Sequence, residues 1–349
     1  NGVVQSCPSL LLEPASTNSV EYSEDLSNSY WSLSNASISA SLQTSPDGSN
    51  NARKVDFSVT SSTARIVKST ISANKKSLSF FFKYVSLDQL MIYIRGIDKG
   101  SYLDVKNALF LGGNAVGGGI DANNVSIENY GNGWYRFIYS HATSDVDGIE
   151  IYAAENQIYS PVTLTGSVLL WGFQLEDLSY ATSYIPTLSG ASQTRAAETC
   201  FGAGTSSTFN STEGVLYAEI SALADDVTNR RIQLSDGTTA NRMYISYKNY
   251  TNQIRVEIIS SSSSVFDATY SAIDITIFSK IALKYKVNDF ALWVNGVERQ
   301  TDNSGSVPSG LSELAFDDGI GNNDFYGNTK DVRVYNEALT DLQLQKLTT

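Results

Sequence analysis

Apolar and polar residues alternate along most of this 349-residue chain, in short runs separated by turns rich in Gly, Asn, Asp and Ser. Alternation with a period of two residues indicates a β-strand that buries one face. Many short strands without helical segments between them predict antiparallel sandwiches or barrels rather than βαβ units. The clearest runs are residues 77–85, 90–94, 134–139, 148–152, 214–220, 242–247, 253–259, 280–285 and 289–294.

Helical periodicity occurs only at the end of the chain. Residues 331–335 alternate as a strand, and a short helix is predicted to follow them. Thr340 is placed to be its N-cap, and Gln343 stands three residues later, which completes a capping box. The predicted fold class is therefore all-β with a short C-terminal helix.

The length of the chain predicts two domains, each large enough to bury its own core. Residues 188–212 are rich in Ser, Thr, Gly and Ala and poor in bulky apolar residues, so they are predicted to contain the junction. We therefore predict two tandem antiparallel β-sandwich domains, residues 1–200 and residues 201–349.

Several segments resemble known modules. Residues 8–18 (PSLLLEPASTN) and 171–176 (WGFQLE) resemble the opening and the close of a module found in phage tail and fibre proteins. Residues 131–136 (GNGWYR) resemble a strand of carbohydrate-binding-module jelly rolls, and residues 334–340 (VYNEALT) resemble the end of concanavalin A-like, laminin-G-like domains. The resemblance implies two jelly-roll domains of a virion fibre or similar appendage that bind a glycan.

Composition limits the partners of the chain. Only 17% of residues are charged, and the net charge is −12. This charge disfavours nucleic acid, which needs clustered Lys and Arg, and it disfavours a highly anionic glycan unless a metal ion bridges the two. A polar, sparsely charged surface is typical of extracellular and virion proteins, so we predict that this protein is extracellular or lies on a virion surface. The apolar runs are too short to span a membrane, and we expect no membrane insertion.

Tryptophan is the first candidate for contact with sugar, because the C–H faces of sugars stack on aromatic rings. Trp134 and Trp171 lie in apolar strands and are predicted to be core residues, whereas Trp31 follows a polar loop. Trp293 shares a strand face with Ala291 and Asn295, which leaves its role open. The predicted glycan-binding residues are Trp31, Trp293, Arg230, Asp236, Asn241 and Tyr244.

The sequence offers two further candidate sites, a calcium site and a disulfide. Carboxylates and amides near residue 320 offer oxygen ligands of the kind that Ca²⁺ prefers, although the same residues are ordinary turn formers. The candidate ligands are Asp317, Asp318, Asn322, Asn323 and Asp324. No cofactor is required by this interpretation, and calcium is the one candidate. Cys7 and Cys200 either form a disulfide or are two separately buried thiols.

The candidate chemistry for catalysis is sparse. His141 is the only histidine, and no strand of the second half carries the alternating acids of concanavalin A-like hydrolases. Glu219 and Glu257 each stand alone among apolar and basic neighbours. We therefore predict a non-catalytic adhesin that binds a neutral or weakly charged glycan and is displayed in several copies, as a homo-oligomer or with other virion proteins. A polysaccharide-degrading enzyme and a purely structural virion decoration are the alternatives. Because the chain begins with Asn1 rather than Met, we also expect that residues upstream were removed.

Overall fold

The structure is a computed structural model that describes residues 9–59, 62–71, 74–143, 145–161, 163–188, 190–248 and 250–349. It is 52% strand and 3% helix, which confirms the all-β fold class with a short C-terminal helix. The chain divides into two compact units. One contains residues 15–196, and the other contains residues 9–14 together with residues 197–349.

The first strand, β1 (Leu10–Leu12), belongs to the unit of residues 9–14 and 197–349. The unit of residues 15–196 is a sandwich of two antiparallel sheets, ordered β10-β9-β8-β13-β6-β3 and β11-β12-β7-β14-β5-β4, with a small β2-β15 ribbon. Its strands are β2 (Ser16–Asn18), β3 (Ser32–Ser34), β4 (Ala36–Thr44), β5 (Asn50–Val59), β6 (Arg65–Lys68), β7 (Ser77–Tyr84), β8 (Gln89–Arg95), β9 (Lys99–Asp104), β10 (Leu109–Val116), β11 (Val125–Gly131), β12 (Trp134–Ser140), β13 (Gly148–Ala154), β14 (Leu164–Glu176) and β15 (Gln193–Arg195).

The core of this unit lies between its two large sheets. Alternate residues of each strand point inward, as Ile92 and Ile94 of β8 do from one sheet and Phe80 and Phe82 of β7 do from the other. All four side chains are fully buried. Alternation therefore assigns the remaining residues of each strand to the outer face of its sheet, which is the face turned away from the core.

The other unit is a second sandwich of antiparallel sheets, ordered β1-β25-β16-β21-β22-β23 and β20-β19-β18-β17-β24. Its strands are β16 (Glu213–Ala222), β17 (Arg230–Ser235), β18 (Arg242–Tyr247), β19 (Gln253–Ser260), β20 (Ser263–Ser271), β21 (Ser279–Lys286), β22 (Phe290–Val294), β23 (Val297–Asp302), β24 (Glu313–Ala315) and β25 (Gly327–Tyr335). The core again takes residues from both sheets, for example Leu216 and Leu283 from one and Ile232 and Ile245 from the other.

Residues 9–14 belong to the unit of residues 197–349, whereas the division predicted at residue 200 would place them in the first domain. Strand β1 pairs with β25, with Leu10 opposite Thr329 and Leu12 opposite Gly327. Without β1, the backbone of β25 would be an unpaired sheet edge, which is an unfavourable state. Glu13 and Glu198 extend the contact, because the Glu13 N–H donates to the Glu198 carboxylate at 2.9 Å and the Glu198 N–H donates to the Glu13 carbonyl at 3.0 Å. Sequence patterns could not reveal this long-range pairing.

The predicted C-terminal helix is α1 (Asp341–Thr348), with Thr340 as its N-cap. The Gln343 side-chain oxygen accepts hydrogen bonds from the Thr340 N–H and hydroxyl, both at 2.8 Å. Leu344 is fully buried and packs in a cluster with Trp293 of β22. Within the part of the chain that the structure describes, no helix has the length and apolar character needed to cross a membrane.

Candidate functional site

Trp31 lies in the core and not at the surface. It is 4% exposed, and its ring centroid lies 4.8 Å from that of Phe173. The polar loop before it folds back, with the Trp31 N–H donating to the Asn28 carbonyl at 3.0 Å and the indole N–H donating to the Tyr22 carbonyl at 2.9 Å. The expectation that a polar loop would leave this ring exposed is wrong, and neither ring face is open to a sugar.

Trp293 is also covered. It lies on the outer face of β22, where helix α1 packs with Leu344, and it is 7% exposed. The strand face that Trp293 shares with Ala291, which left its role open in the sequence, is the outer face, and the C-terminal helix occupies the place that a sugar would need. The role proposed for Trp293 as a platform therefore fails in this conformation.

The four predicted rim residues do not surround Trp293, because they lie on or beside the opposite sheet of the same sandwich. Arg230 begins β17, is 1% exposed, and places Nη2 at 2.8 Å from both carboxylate oxygens of Asp226. Asp236 and Asn241 form the turn between β17 and β18, with a 3.0 Å hydrogen bond between their side chains. Burial acts to raise the pKa of Asp236, but hydrogen bonds from Thr238 and Asn241 outweigh it and lower this pKa. Tyr244 lies on the outer face of β18 and is 2% exposed.

The predicted calcium loop is closed by its own hydrogen bonds. The Asp318 carboxylate accepts the N–H groups of Ile320 and Asn322 at 3.2 and 3.0 Å and the Asn323 amide at 2.9 Å. Asp324 accepts the Tyr326 hydroxyl at 3.0 Å. Burial raises the pKa of Asp317, which accepts the Gly319 N–H. No group of three or more His, Cys, Asp or Glu residues in the described ranges could hold a metal ion, and calcium binding stays a prediction.

The predicted disulfide involves Cys7, which lies outside the described residues. Cys200 is half-buried beside the core of its unit, and it forms no disulfide with any residue that the structure describes. The pairing of Cys7 with Cys200 therefore stays a prediction.

A cluster that the sequence did not reveal lies on the outer face of the sheet β10-β9-β8-β13-β6-β3. Two neighbouring cross-strand rows form it. One row runs Arg65, Tyr152, Met91 and Tyr102, and the next runs Val67, Glu150, Tyr93 and Gly100. Tyr159, from the loop after β13, completes the cluster with its ring edge-on to Tyr152 at 5.5 Å. We call this surface the tyrosine face, defined as Tyr93, Tyr102, Tyr152 and Tyr159 with Arg65, Arg95 and Glu150.

Glu150 holds the polar half of the tyrosine face together. It is 4% exposed and accepts hydrogen bonds from Arg65 at 2.8 Å, from the Tyr152 hydroxyl at 2.6 Å and from Arg95. The two arginine side chains remain 39% and 37% exposed, so each guanidinium has an outward edge that can donate further hydrogen bonds. Burial, and then the hydrogen bond to Glu150, raises the pKa of Tyr152 to about 12.

Two glycines allow the tyrosine rings to lie close to the sheet. A Cβ added at Gly100 would lie 3.0 Å from the Met91 sulfur and 3.4 Å from the Tyr93 ring. A Cβ at Gly113, where φ is +78°, would lie 3.2 Å from the Tyr102 ring. Tyr102 and Tyr152 are buried at 5% and 9% exposure, and Tyr93 and Tyr159 are half-buried. The arrangement presents two supported aromatic rings beside two guanidinium edges.

Two pockets of about 250 Å³ lie in the same unit. One is lined in part by Gln89 of β8 and Ala154 of β13, which are paired across the two strands. The other is lined in part by His141, Asp121 and Lys99. His141 Nδ1 accepts the Thr143 N–H at 3.2 Å, so the single histidine is engaged by its own turn.

No protein-family model matches the chain, and no curated protein matches it. Solved structures that it resembles include the CBM40 module of Ruminococcus gnavus IT-sialidase, with 15% identity, 40% of this chain and 84% of that chain covered, and a TM-score of 0.35. Another is the SAP-like pentraxin of Limulus polyphemus, with 14% identity, 39% and 70% covered, and a TM-score of 0.33. A third is sheep galectin-11, with 9% identity, 40% and 99% covered, and a TM-score of 0.29. Because these TM-scores lie below 0.5, they transfer neither a function nor a binding residue to this chain.

Proposed function

We propose that this protein is a non-catalytic glycan-binding protein of an extracellular or virion surface, and that the tyrosine face is its binding site. The observation that carries the proposal is the pairing of half-buried Tyr93 and Tyr159 with the exposed edges of Arg65 and Arg95. Aromatic faces stack on the apolar faces of sugars, and fixed guanidinium groups donate hydrogen bonds to hydroxyls.

The site is already organised before any ligand arrives. Glu150 fixes Arg65, and Tyr152 supports Tyr159 from below at 5.5 Å. Binding therefore requires little ordering of side chains, which is a cost that weakens many complexes. A shallow face with two rings still gives modest affinity for one site, so adhesion would depend on several copies displayed together, as on a fibre.

Binding without cleavage is supported by the ion pairs of three carboxylates on the outer faces. Glu150 is held by two arginines, and Glu257 and Asp267 both contact Arg255, at 3.1 and 2.6 Å. A glycosidase needs one carboxyl group that donates a proton and another that is a nucleophile or base. Carboxylates fixed as charged partners of arginine are poorly suited to the first role.

A glycan array combined with cleavage assays tests the proposal. We expect retention on at least one surface polysaccharide, no increase in reducing ends and no unsaturated uronate. Release of fragments that one Asp or Glu substitution abolishes would establish the enzyme instead. Absence of retention on every glycan, with a correctly folded protein, would favour the purely structural role.

A further inference from the structure

A second polar cluster lies in the other unit, on the outer face of the sheet β20-β19-β18-β17-β24. Ile232 and Leu234 of β17 point into the core, so Arg231 and Gln233 point outward. On β18 the same alternation places Arg242 and Tyr244 outward, and the register sets Gln233 directly opposite Tyr244.

Tyr244 lies at the centre of three arginines. The guanidinium carbons of Arg231, Arg242 and Arg255 lie 3.8, 5.8 and 6.0 Å from its ring centroid. Arg255 has its charge balanced, because it donates to both Asp267 oxygens at 2.7 and 2.6 Å and lies 3.1 Å from Glu257. The Tyr244 hydroxyl donates to Glu257 as well.

Arg231 and Arg242 are not paired with a carboxylate in this way. Within the described ranges, no carboxylate oxygen lies within 4.0 Å of either guanidinium, and neither side chain makes a hydrogen bond. Arg231 is 8% exposed, and the Nε atoms of both arginines are buried without a partner. The fully buried Gln233 is half-satisfied, because its Nε2 donates to the Asp318 carbonyl at 2.9 Å while its Oε1 has no donor.

A buried guanidinium without a counter-ion is unfavourable, and a second positive charge beside it adds repulsion. Burial lowers the pKa of Arg231 and outweighs the opposite effects of Tyr244, Asp318 and Glu257, and the neighbouring charge of Arg242 acts in the same direction as burial. The chain has a net charge of −12, so carboxylates that could have paired with these arginines are plentiful in its sequence. An anion from outside the chain would supply the missing charge.

We propose that Arg231 and Arg242 bind the carboxylate of an acidic sugar, with Tyr244 beneath the site. A planar carboxylate can accept parallel hydrogen bonds from guanidinium groups, and its two oxygens allow it to contact both arginines while it neutralises one of their two positive charges. This inference rests on the proposed glycan binding and names one class of substrate. The net charge of the whole chain led us to expect a neutral glycan, but the local positive charge of Arg231 and Arg242 decides which ligand binds at this site.

The test uses the full chain and three oligosaccharides of one length, which are trigalacturonic acid, its methyl ester and a sulphated neutral trisaccharide. We expect the acid to bind and the ester to bind at least about tenfold more weakly, because charge-assisted hydrogen bonds are lost. R231M and R242Q should each weaken binding of the acid by about tenfold or more for the same reason. R299Q, on exposed strand β23 of the opposite sheet, is the matched control and should bind as the unaltered protein does.

Melting temperature separates binding from a structural role. R231M removes a buried charge that has no carboxylate within 4.0 Å, and the methionine can still pack on the Tyr244 ring, so the melting temperature of this variant should be unchanged or higher. A lower melting temperature with unchanged binding of the acid would show a structural arginine and overturn the proposal. Equal binding of acid and ester, tighter binding of the sulphated sugar, or no binding of the acid would overturn it too. If Y93A abolishes binding of neutral glycans and R231M leaves that binding intact, the tyrosine face is supported as a glycan site independently of the arginine site. If R231M abolishes binding of the acid and Y93A leaves that binding intact, the arginine site is supported independently of the tyrosine face.

Discussion

Replacing Glu150 with Gln tests whether one buried carboxylate organises the tyrosine face. Glu150 accepts hydrogen bonds from Arg65, Arg95 and Tyr152 and is 4% exposed. Glutamine keeps the volume but loses the charge, and its amide N–H₂ must face one of the three donors. Glu128 on β11 is exposed and offers a control with the same change of charge, Glu128→Gln.

The magnitude follows from these contacts. A hydrogen bond to a charged group contributes about 1.5–3 kcal/mol when buried, and partly exposed partners reduce that value. Because both arginines are more than a third exposed, we expect Glu150→Gln to lower the free energy of unfolding by about 2 kcal/mol. For a unit of this size, that corresponds to a melting temperature about 4–8 °C lower.

Differential scanning calorimetry of the two variants measures the effect. The transition of the unit of residues 15–196 should move for Glu150→Gln and stay in place for Glu128→Gln. Retention on glycan should fall in parallel, because Arg65 and Tyr152 lose their common anchor. Equal melting temperatures for the two variants would refute the view that Glu150 holds this surface together.

Three further predictions follow from local features. Burial raises the pKa of Tyr152 to about 12, so this hydroxyl stays protonated in the folded protein at a pH near 10, where the unfolded chain begins to lose the same proton. The contribution of Tyr152 to stability is therefore complete below pH 10 and is lost as the pH rises toward 12. Tyr152→Phe should flatten this part of a curve of stability against pH. Gly100→Ala should displace the Met91 side chain, whose sulfur would lie 3.0 Å from the new Cβ, and should lower the free energy of unfolding by about 1 kcal/mol, because a flexible side chain can move aside at small cost. An unaltered free energy of unfolding, measured by urea denaturation, would contradict the packing described. Thr340→Ala should lower the free energy of unfolding by about 1 kcal/mol, measured by urea denaturation, since α1 loses its N-cap; no change would mean that packing of Leu344 alone holds the helix.

Most strands could be predicted from the sequence because alternation is a local property. The run 77–85 corresponds to β7 (Ser77–Tyr84), and the run 253–259 corresponds to β19 (Gln253–Ser260). The capped helix was equally readable, since Thr340 and Gln343 are only three residues apart. In each case the decisive interactions join neighbours along the chain.

The tyrosine face could not be predicted, because its residues come from β6, β8, β13 and the loop after β13. Their proximity depends on register, which sets Tyr93 opposite Glu150 and Tyr152 opposite Arg65. A signal was nevertheless present. In residues 89–95 the positions between the apolar ones are Met91, Tyr93 and Arg95, which is unusual for a solvent-facing row and marks a second surface.

The burial of Trp31 and Trp293 could not be predicted from the sequence. Both were assigned from their immediate neighbours, and both are covered by segments that lie elsewhere in the chain or in a folded-back loop. Helix α1 covers Trp293, and Phe173 of β14 packs on Trp31. Coverage of this kind depends on tertiary contacts, so local polarity does not report it.

Affinity electrophoresis in gels containing the retained polysaccharide measures whether the tyrosine face binds the glycan. We expect that a protein carrying both Tyr93→Ala and Tyr159→Ala loses its retardation, with a dissociation constant at least about tenfold higher, because each stacking contact is worth about 1–3 kcal/mol by analogy with base–aromatic stacking. Tyr84→Ala, which removes a 36% exposed ring from β7 of the opposite sheet, should migrate as the unaltered protein does. Full retardation of the double variant, with its melting temperature preserved, would contradict the claim that the tyrosine face binds the glycan.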